Sequence, residues 1–169
     1  FTRAEKALPK RAGSTGAVVA ADFDRDGDLD LFVGERMVPR RYPVTPTSRL
    51  LENRDGRFVD VTKDVAPDLA EVGLVSGALW SDHDGDGWLD LVLALDWGPV
   101  AIFANREGKL EDVTEDVGLA RVLGWWHGIA AGDVDGDGDV DFLATNLGLN
   151  TKYAASSEHP LALYYDDFD

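Results

Sequence analysis

The sequence predicts an all-β fold of β-propeller blades, about three of them, forming a partial propeller over residues 1–169. Three observations carry this. An acidic loop recurs three times, and an Asn-Gly element recurs twice in step with it. The segments between them are short and rich in Val, Phe and Leu, bounded by glycine or by the acidic loop, as strands are.

The acidic loop reads D-x-D-x-D-G-x-x-D followed by apolar residues. It appears in AADFDRDGDLDLFVG (20–34), WSDHDGDGWLDLVLA (80–94) and AGDVDGDGDVDFLAT (131–145), with first aspartates Asp22, Asp82 and Asp133, 60 and 51 residues apart. The second element appears in LLENRDGRFVDVT (50–62) and IFANREGKLEDVT (102–114), where Asn53 matches Asn105 and Gly56 matches Gly108 at an offset of 52. The eight extra residues of the first repeat fall in GERMVPRRYPVTPTS, a Pro- and Arg-rich loop. Each repeat then holds four antiparallel strands, A to D. The acidic loop joins A to B and the Asn-Gly loop joins C to D.

Repeat 1 spans about 14–64, repeat 2 about 73–116 and an incomplete repeat 3 about 124–165. The ending YYDDFD resembles VAADFD at 19–24, so Asp167 and Asp169 are expected to open a fourth acidic loop at 166–169. DVAPDLAEVG and EDVGLARVLG are expected to form one helical turn each. A four-stranded unit at this spacing is the mark of a propeller blade, and blades must stack to bury both sheet faces. A propeller needs about 4–8 blades. The chain therefore reads as a fragment that packs on further blades of the same chain or on another copy.

Alternating aspartates at loop positions 1, 3 and 5 can turn toward one centre, and glycine at position 6 allows the bend. A carbonyl at position 7 and a carboxylate at position 9 close a shell of hard oxygens, which suits Ca²⁺ better than Mg²⁺. The expected ligands are Asp22, Asp24, Asp26 and Asp30 with the carbonyl of Asp28; Asp82, Asp84, Asp86 and Asp90 with that of Trp88; and Asp133, Asp135, Asp137 and Asp141 with that of Asp139. This makes about three structural calcium sites. The side chains of Asp28 and Asp139, and that of His83 at position 2, are expected to face outward. An EF-hand is excluded because position 12 is Val33, Leu93 or Ala144 rather than an acid, and the flanks are strand-like.

These loops resemble the FG-GAP or VCBS calcium-binding repeats of integrin α-subunit propellers. With the N-x-x-G-x-[FL]-x-D-V-T hairpins they are most similar to VCBS-repeat proteins associated with ASPIC/UnbV domains, such as cartilage acidic protein and bacterial surface homologues. The chain lacks the Phe-Gly…Gly-Ala-Pro motif of the integrin type and contains no ASPIC/UnbV domain. The resemblance implies an extracellular, cell-surface or periplasmic module for adhesion or recognition of protein or carbohydrate, with structural calcium and no catalysis.

Antiparallel connections alternate between faces. The acidic loops and the C–D hairpins share one face. Loops 35–49, 63–75, 96–99, 115–127 and 146–160 share the other. The resemblance places partner binding on that second face. Candidates there are Arg36, Arg40, Arg41 and Tyr42, which either contact an acidic or sugar partner or solubilise a long loop. Trp97, Trp125, Trp126 and His127 are either inter-blade packing or an aromatic platform for a sugar. GWWHG is expected just before strand A of repeat 3, and Trp80 is expected to pack.

Acids outnumber bases 32 to 16, for a net charge of −16, so nucleic acid and anionic membranes are poor partners. The absence of cysteine removes disulfides and thiolate metal sites. No apolar run reaches the ~18 residues of a membrane helix, and the opening FTRAEKALPK carries no signal peptide. His83, His127 and His159 are scattered and no nucleophile motif is present, so an enzyme is not expected. The alternative is the propeller part of a calcium-containing polysaccharide lyase or hydrolase.

Overall fold

A computed structural model of the chain describes residues 7–10 and 13–148, together with 152, 153, 156, 159, 161, 163 and 164. The proposed fourth loop at 166–169 lies outside these residues, as does much of the third repeat after Gly148.

The described residues are built from antiparallel sheets. Strands β1 (Ser14–Ala21), β2 (Asp30–Met37), β3 (Arg49–Arg54) and β4 (Arg57–Asp60) form one sheet in that order. Strands β5 (Leu74–Ser81), β6 (Asp90–Gly98), β7 (Val100–Asn105) and β8 (Leu110–Asp112) repeat the arrangement. Strands β9 (Gly124–Gly132) and β10 (Asp141–Asn146) form the first hairpin of a third unit, and β9 also pairs with the end of β6 through Asp96↔Trp125 and Gly98↔Gly124.

The register explains why the acidic loops are alike. Each is closed by equivalent pairs, Ala21↔Asp30, Ser81↔Asp90 and Gly132↔Asp141. At the far end of each hairpin the register slips, past Gly16, Ser76 and His127 respectively. A bulge of this kind re-aims the residue it carries. Ser76 Oγ donates to the carbonyl of Trp126 in the next unit at 2.5 Å. Gly16 faces the equivalent carbonyl, that of Val75, so closely that a Cβ on it would lie 1.8 Å from the oxygen.

The Asp-Val-Thr endings extend the sheets. Thr62 Oγ1 accepts the amide of Leu50 at 2.9 Å, and Thr114 Oγ1 accepts that of Ile102 at 3.0 Å. Asp60 and Asp112 accept the amides of the same threonines two residues on. The C–D hairpins turn on Asp55-Gly56 and Glu107-Gly108, all at positive φ, as two-residue hairpins of the right twist require. Asn53 and Asn105 side chains accept the amides of Gly56 and Gly108, both at 2.8 Å.

A short helix α1 (Thr62–Val65) and a 3-10 turn (Pro67–Glu71) occupy the first expected helical segment. The second closes one turn, Val117 N to Val113 O at 3.0 Å, and stops at Gly118 with φ of 80°. GWWHG differs from expectation, because it lies inside β9 rather than ahead of it. Its counterparts Leu74, Val75 and Ser76 likewise lie inside β5. The core runs through the first two units, with Phe23, Phe32, Leu50, Leu69, Val75, Leu91, Leu93 and Phe103 buried and Trp80 packed against it. None of the helices among the described residues is long and apolar enough to cross a membrane.

Candidate metal loops and an opposite aromatic face

The three acidic loops fold by one hydrogen-bonding scheme. The position-1 carboxylate accepts from the backbone at position 6: Gly27 to Asp22 at 3.2 Å, Gly87 to Asp82 at 2.9 Å and Gly138 to Asp133 at 3.2 Å. Position 3 accepts the amide of position 5, from Asp26 to Asp24, Asp86 to Asp84 and Asp137 to Asp135. Position 5 accepts that of position 7, from Asp28 to Asp26, Trp88 to Asp86 and Asp139 to Asp137. Each short carboxylate thus shapes the turn just ahead of it.

Position 9 has a different job from position 1. Asp30 and Asp90 are fully buried at the start of strand B. Asp30 accepts from the amides of Phe23 at 3.3 Å and Asn53 at 2.8 Å. Asp90 accepts from the amides of His83 at 2.8 Å and Asn105 at 2.7 Å. Asp141 accepts from Val134 at 2.9 Å. In the first two units this carboxylate ties the acidic loop to the C–D hairpin, as well as facing the loop interior.

Carboxylate oxygens converge in each loop. Ligand atoms of Asp22, Asp24 and Asp30, of Asp82, Asp84 and Asp86, and of Asp133, Asp135 and Asp141 lie within 4.8 Å of one another. Asp26, Asp90 and Asp137 fall outside these groups, and Asp90 converges instead with Asp84 and His83. The first loop fits a hard cation on a further observation. Asp22 Oδ1 and Asp28 Oδ1 are buried in the first loop without a hydrogen-bond partner. Burial pushes the Asp30 carboxyl up to about 6 despite its two backbone donors, and it pushes Asp24 up as well. An oxygen-only set that is under-compensated as anions is what a cation of the Ca²⁺ type neutralises.

Two outward side chains expected from the sequence turn inward. His83 is half-buried, with Nδ1 2.6 Å from Asp90 Oδ2, so it completes the ties of that carboxylate. Position 2 of the first loop is Phe23, a core residue, and His83 occupies the same slot. Asp28 is half-buried, with one oxygen sealed, whereas Asp139 is exposed.

The second loop also differs in its cations. Arg106 Nη1 donates to Asp84 Oδ2 at 2.7 Å and to Asp86 Oδ2 at 3.0 Å. The guanidinium holds the Asp84 carboxyl below its usual range. Arg25, from the first loop, donates to the carbonyl of Gly87 and lies over the Trp88 ring, 3.9 Å from its centroid. Neither arginine was singled out from the sequence.

On the opposite face the structure gathers several of the candidate partner residues. Trp97 Nε1 donates to the Tyr42 hydroxyl at 2.5 Å. The Trp97 ring stacks on Trp125 at 5.0 Å, and Trp125 meets His127 at 5.7 Å. Arg36 pairs with buried Asp96 through Nε at 2.8 Å. Arg40 and Arg41 are exposed and carry no ring contact among the described residues. Trp126 points away from this row, as alternation along β9 requires, and its carbonyl accepts from Ser76.

Both acidic loops of the second half, and all that joins them, fall in one recognisable segment. Residues 82–144 match the FG-GAP-like repeat family. The FG-GAP-like segment begins on Asp82, the first residue of the second acidic loop, and ends on Ala144, just past the third. The first loop lies outside the match but has the same hydrogen-bonding scheme. No curated protein sequence matches the chain.

Proposed function

We propose that the chain is a calcium-stabilised recognition module, with its sheets acting as propeller blades and its partner bound on the face away from the metal. The observation that carries this is the repeated carboxylate scheme in three loops, each leaving oxygens within 4.8 Å of one another. Such loops hold strands A and B at a fixed stagger, and a cation of the Ca²⁺ class would supply charge balance there. The role of the metal is structural, because position 9 is tied to strand C rather than left open for a substrate.

Binding rather than catalysis is supported by the same ties. His83, the one histidine within the acidic loops, is locked onto Asp90. The row Tyr42–Trp97–Trp125–His127 crosses all three units and offers aromatic edges and faces beside exposed Arg40 and Arg41. That combination suits a protein or carbohydrate ligand. The FG-GAP-like match and the N-x-x-G…DVT hairpins support an extracellular or cell-surface setting, where calcium sites of modest affinity stay filled.

A calcium titration followed by thermal melting tests this. Calcium bound only by the folded chain raises its melting temperature with concentration, and EDTA reverses the rise. A melting temperature unmoved by both would overturn the calcium reading.

A further inference from the structure

The hairpin turns of the first two units carry the same Asn-Arg pair, Asn53-Arg54 and Asn105-Arg106, yet the two arginines go to different places. Arg54 is held by Glu52, two residues back on the same strand, at 2.5 and 2.9 Å. The residue two before Arg106 is Ala104. With no acid on its own strand, Arg106 reaches across to Asp84 and Asp86 of the second loop. Asp84 and Asp86 belong to the very oxygen group that includes Asp82.

The second loop is held in a further way that the others lack. Arg25 sits at position 4 of the first loop with φ of 63°, where the siblings carry Gly85 and Gly136 at 75° and 83°. A non-glycine residue is disfavoured there, and only this one reaches a neighbouring loop, at the Gly87 carbonyl and the Trp88 ring. The second loop is therefore supplied with positive charge by the protein itself.

We propose that Arg106 is an internal cation of the second loop, so that calcium enters this loop only in exchange for its guanidinium and the three loops load unequally. The inference rests on the calcium reading above. A metal ion and a guanidinium cannot share the same oxygens at close range without mutual repulsion. Loops one and three take up metal directly, and loop two last.

Isothermal titration of the full chain with CaCl₂ tests the exchange. The native protein is expected to show a weaker class of site, and Asp82→Asn is expected to delete that class. Arg106→Gln is expected to tighten it about fivefold, near the upper end of what an exposed ion pair sustains. Arg54→Gln, whose arginine is held by Glu52, is expected to leave every class unmoved. Should Arg106→Gln fail to fold, the reciprocal change serves. Glu52→Gln frees Arg54 and weakens the first loop, and the double change Glu52→Gln/Arg54→Gln restores it. Equal sites that ignore Arg106→Gln, or a second loop weakened by it, would overturn the proposal and leave the calcium reading standing. Absence of calcium binding in every variant would remove both.

Discussion

Asn105 Nδ2 donates to the carbonyl of Phe23 at 2.8 Å, so the second unit's hairpin grips the first unit's acidic loop. The same amide nitrogen reaches the Leu89 carbonyl at 3.1 Å, and Asn105 Oδ1 accepts the amide of Gly108. One buried side chain thus joins two acidic loops and a turn. Asn105→Ala takes a partner from the buried Phe23 carbonyl and from the part-buried Leu89 carbonyl and Gly108 amide. The expected cost is about 2–4 kcal/mol, summing the penalties for unpaired buried groups. Urea unfolding should show it, and Asn53→Ala, on a half-buried asparagine, should cost less.

The bulge residues give a second prediction. Ser76 and Gly16 meet the next unit's strand at equivalent carbonyls, one by a hydrogen bond and one by close approach. Gly16→Ala would force a methyl onto the Val75 carbonyl, and backbone cannot rotate away as a side chain can. A loss of roughly 1–3 kcal/mol is expected from overpacking. Gly56→Ala, where space is open but φ is 82°, should lose only about 1 kcal/mol through backbone strain. Comparing the two by chemical denaturation separates crowding from conformation.

Much of this was legible in the sequence because it depends on local spacing. The D-x-D-x-D-G-x-x-D loops set their own turns through carboxylates that reach two to five residues ahead, and the Asn-Gly hairpins do the same over three. The four-stranded order follows from those turns. The orientation of His83 was legible too, since its siblings are Phe23 and Val134, but histidine in an acidic run draws attention to its charge rather than its slot. GWWHG could have been placed inside a strand from its alignment with Leu74, Val75 and Ser76. What the sequence hid were pairings between loops far apart along the chain. The reach of Arg106 depends on Ala104 standing where Glu52 stands, a difference whose effect appears only when the hairpin faces the loop.

Arg36 and Asp96 join the first two units on the aromatic side. Asp96 is buried, while Arg36 keeps much of its side chain in water. Arg36→Ala strands a buried carboxylate, which costs more than losing an exposed pair. About 1–3 kcal/mol is expected, below the ~3–5 of a fully buried pair because solvent reaches the arginine side. The double change Arg36→Ala/Asp96→Ala should recover part of the loss, as a double-mutant cycle would read out.

The two faces should answer to different substitutions. Trp97 belongs to the row of Tyr42, Trp125 and His127, on the side opposite the acidic loops. Its ring is half-exposed and its partners are surface groups, so Trp97→Ala should cost about 0.5–1.5 kcal/mol, the scale of an aromatic pair. The calcium-dependent rise in melting temperature should persist at the native size, because no acidic-loop residue touches this ring. Asp22→Asn is the converse. It removes charge from a loop that already holds a buried orphan oxygen, and it should shrink the calcium-dependent rise while leaving the near-ultraviolet signal of the stacked tryptophans in place. If Trp97→Ala abolished the calcium response, the faces would be one coupled site and the separation of metal from recognition would fail.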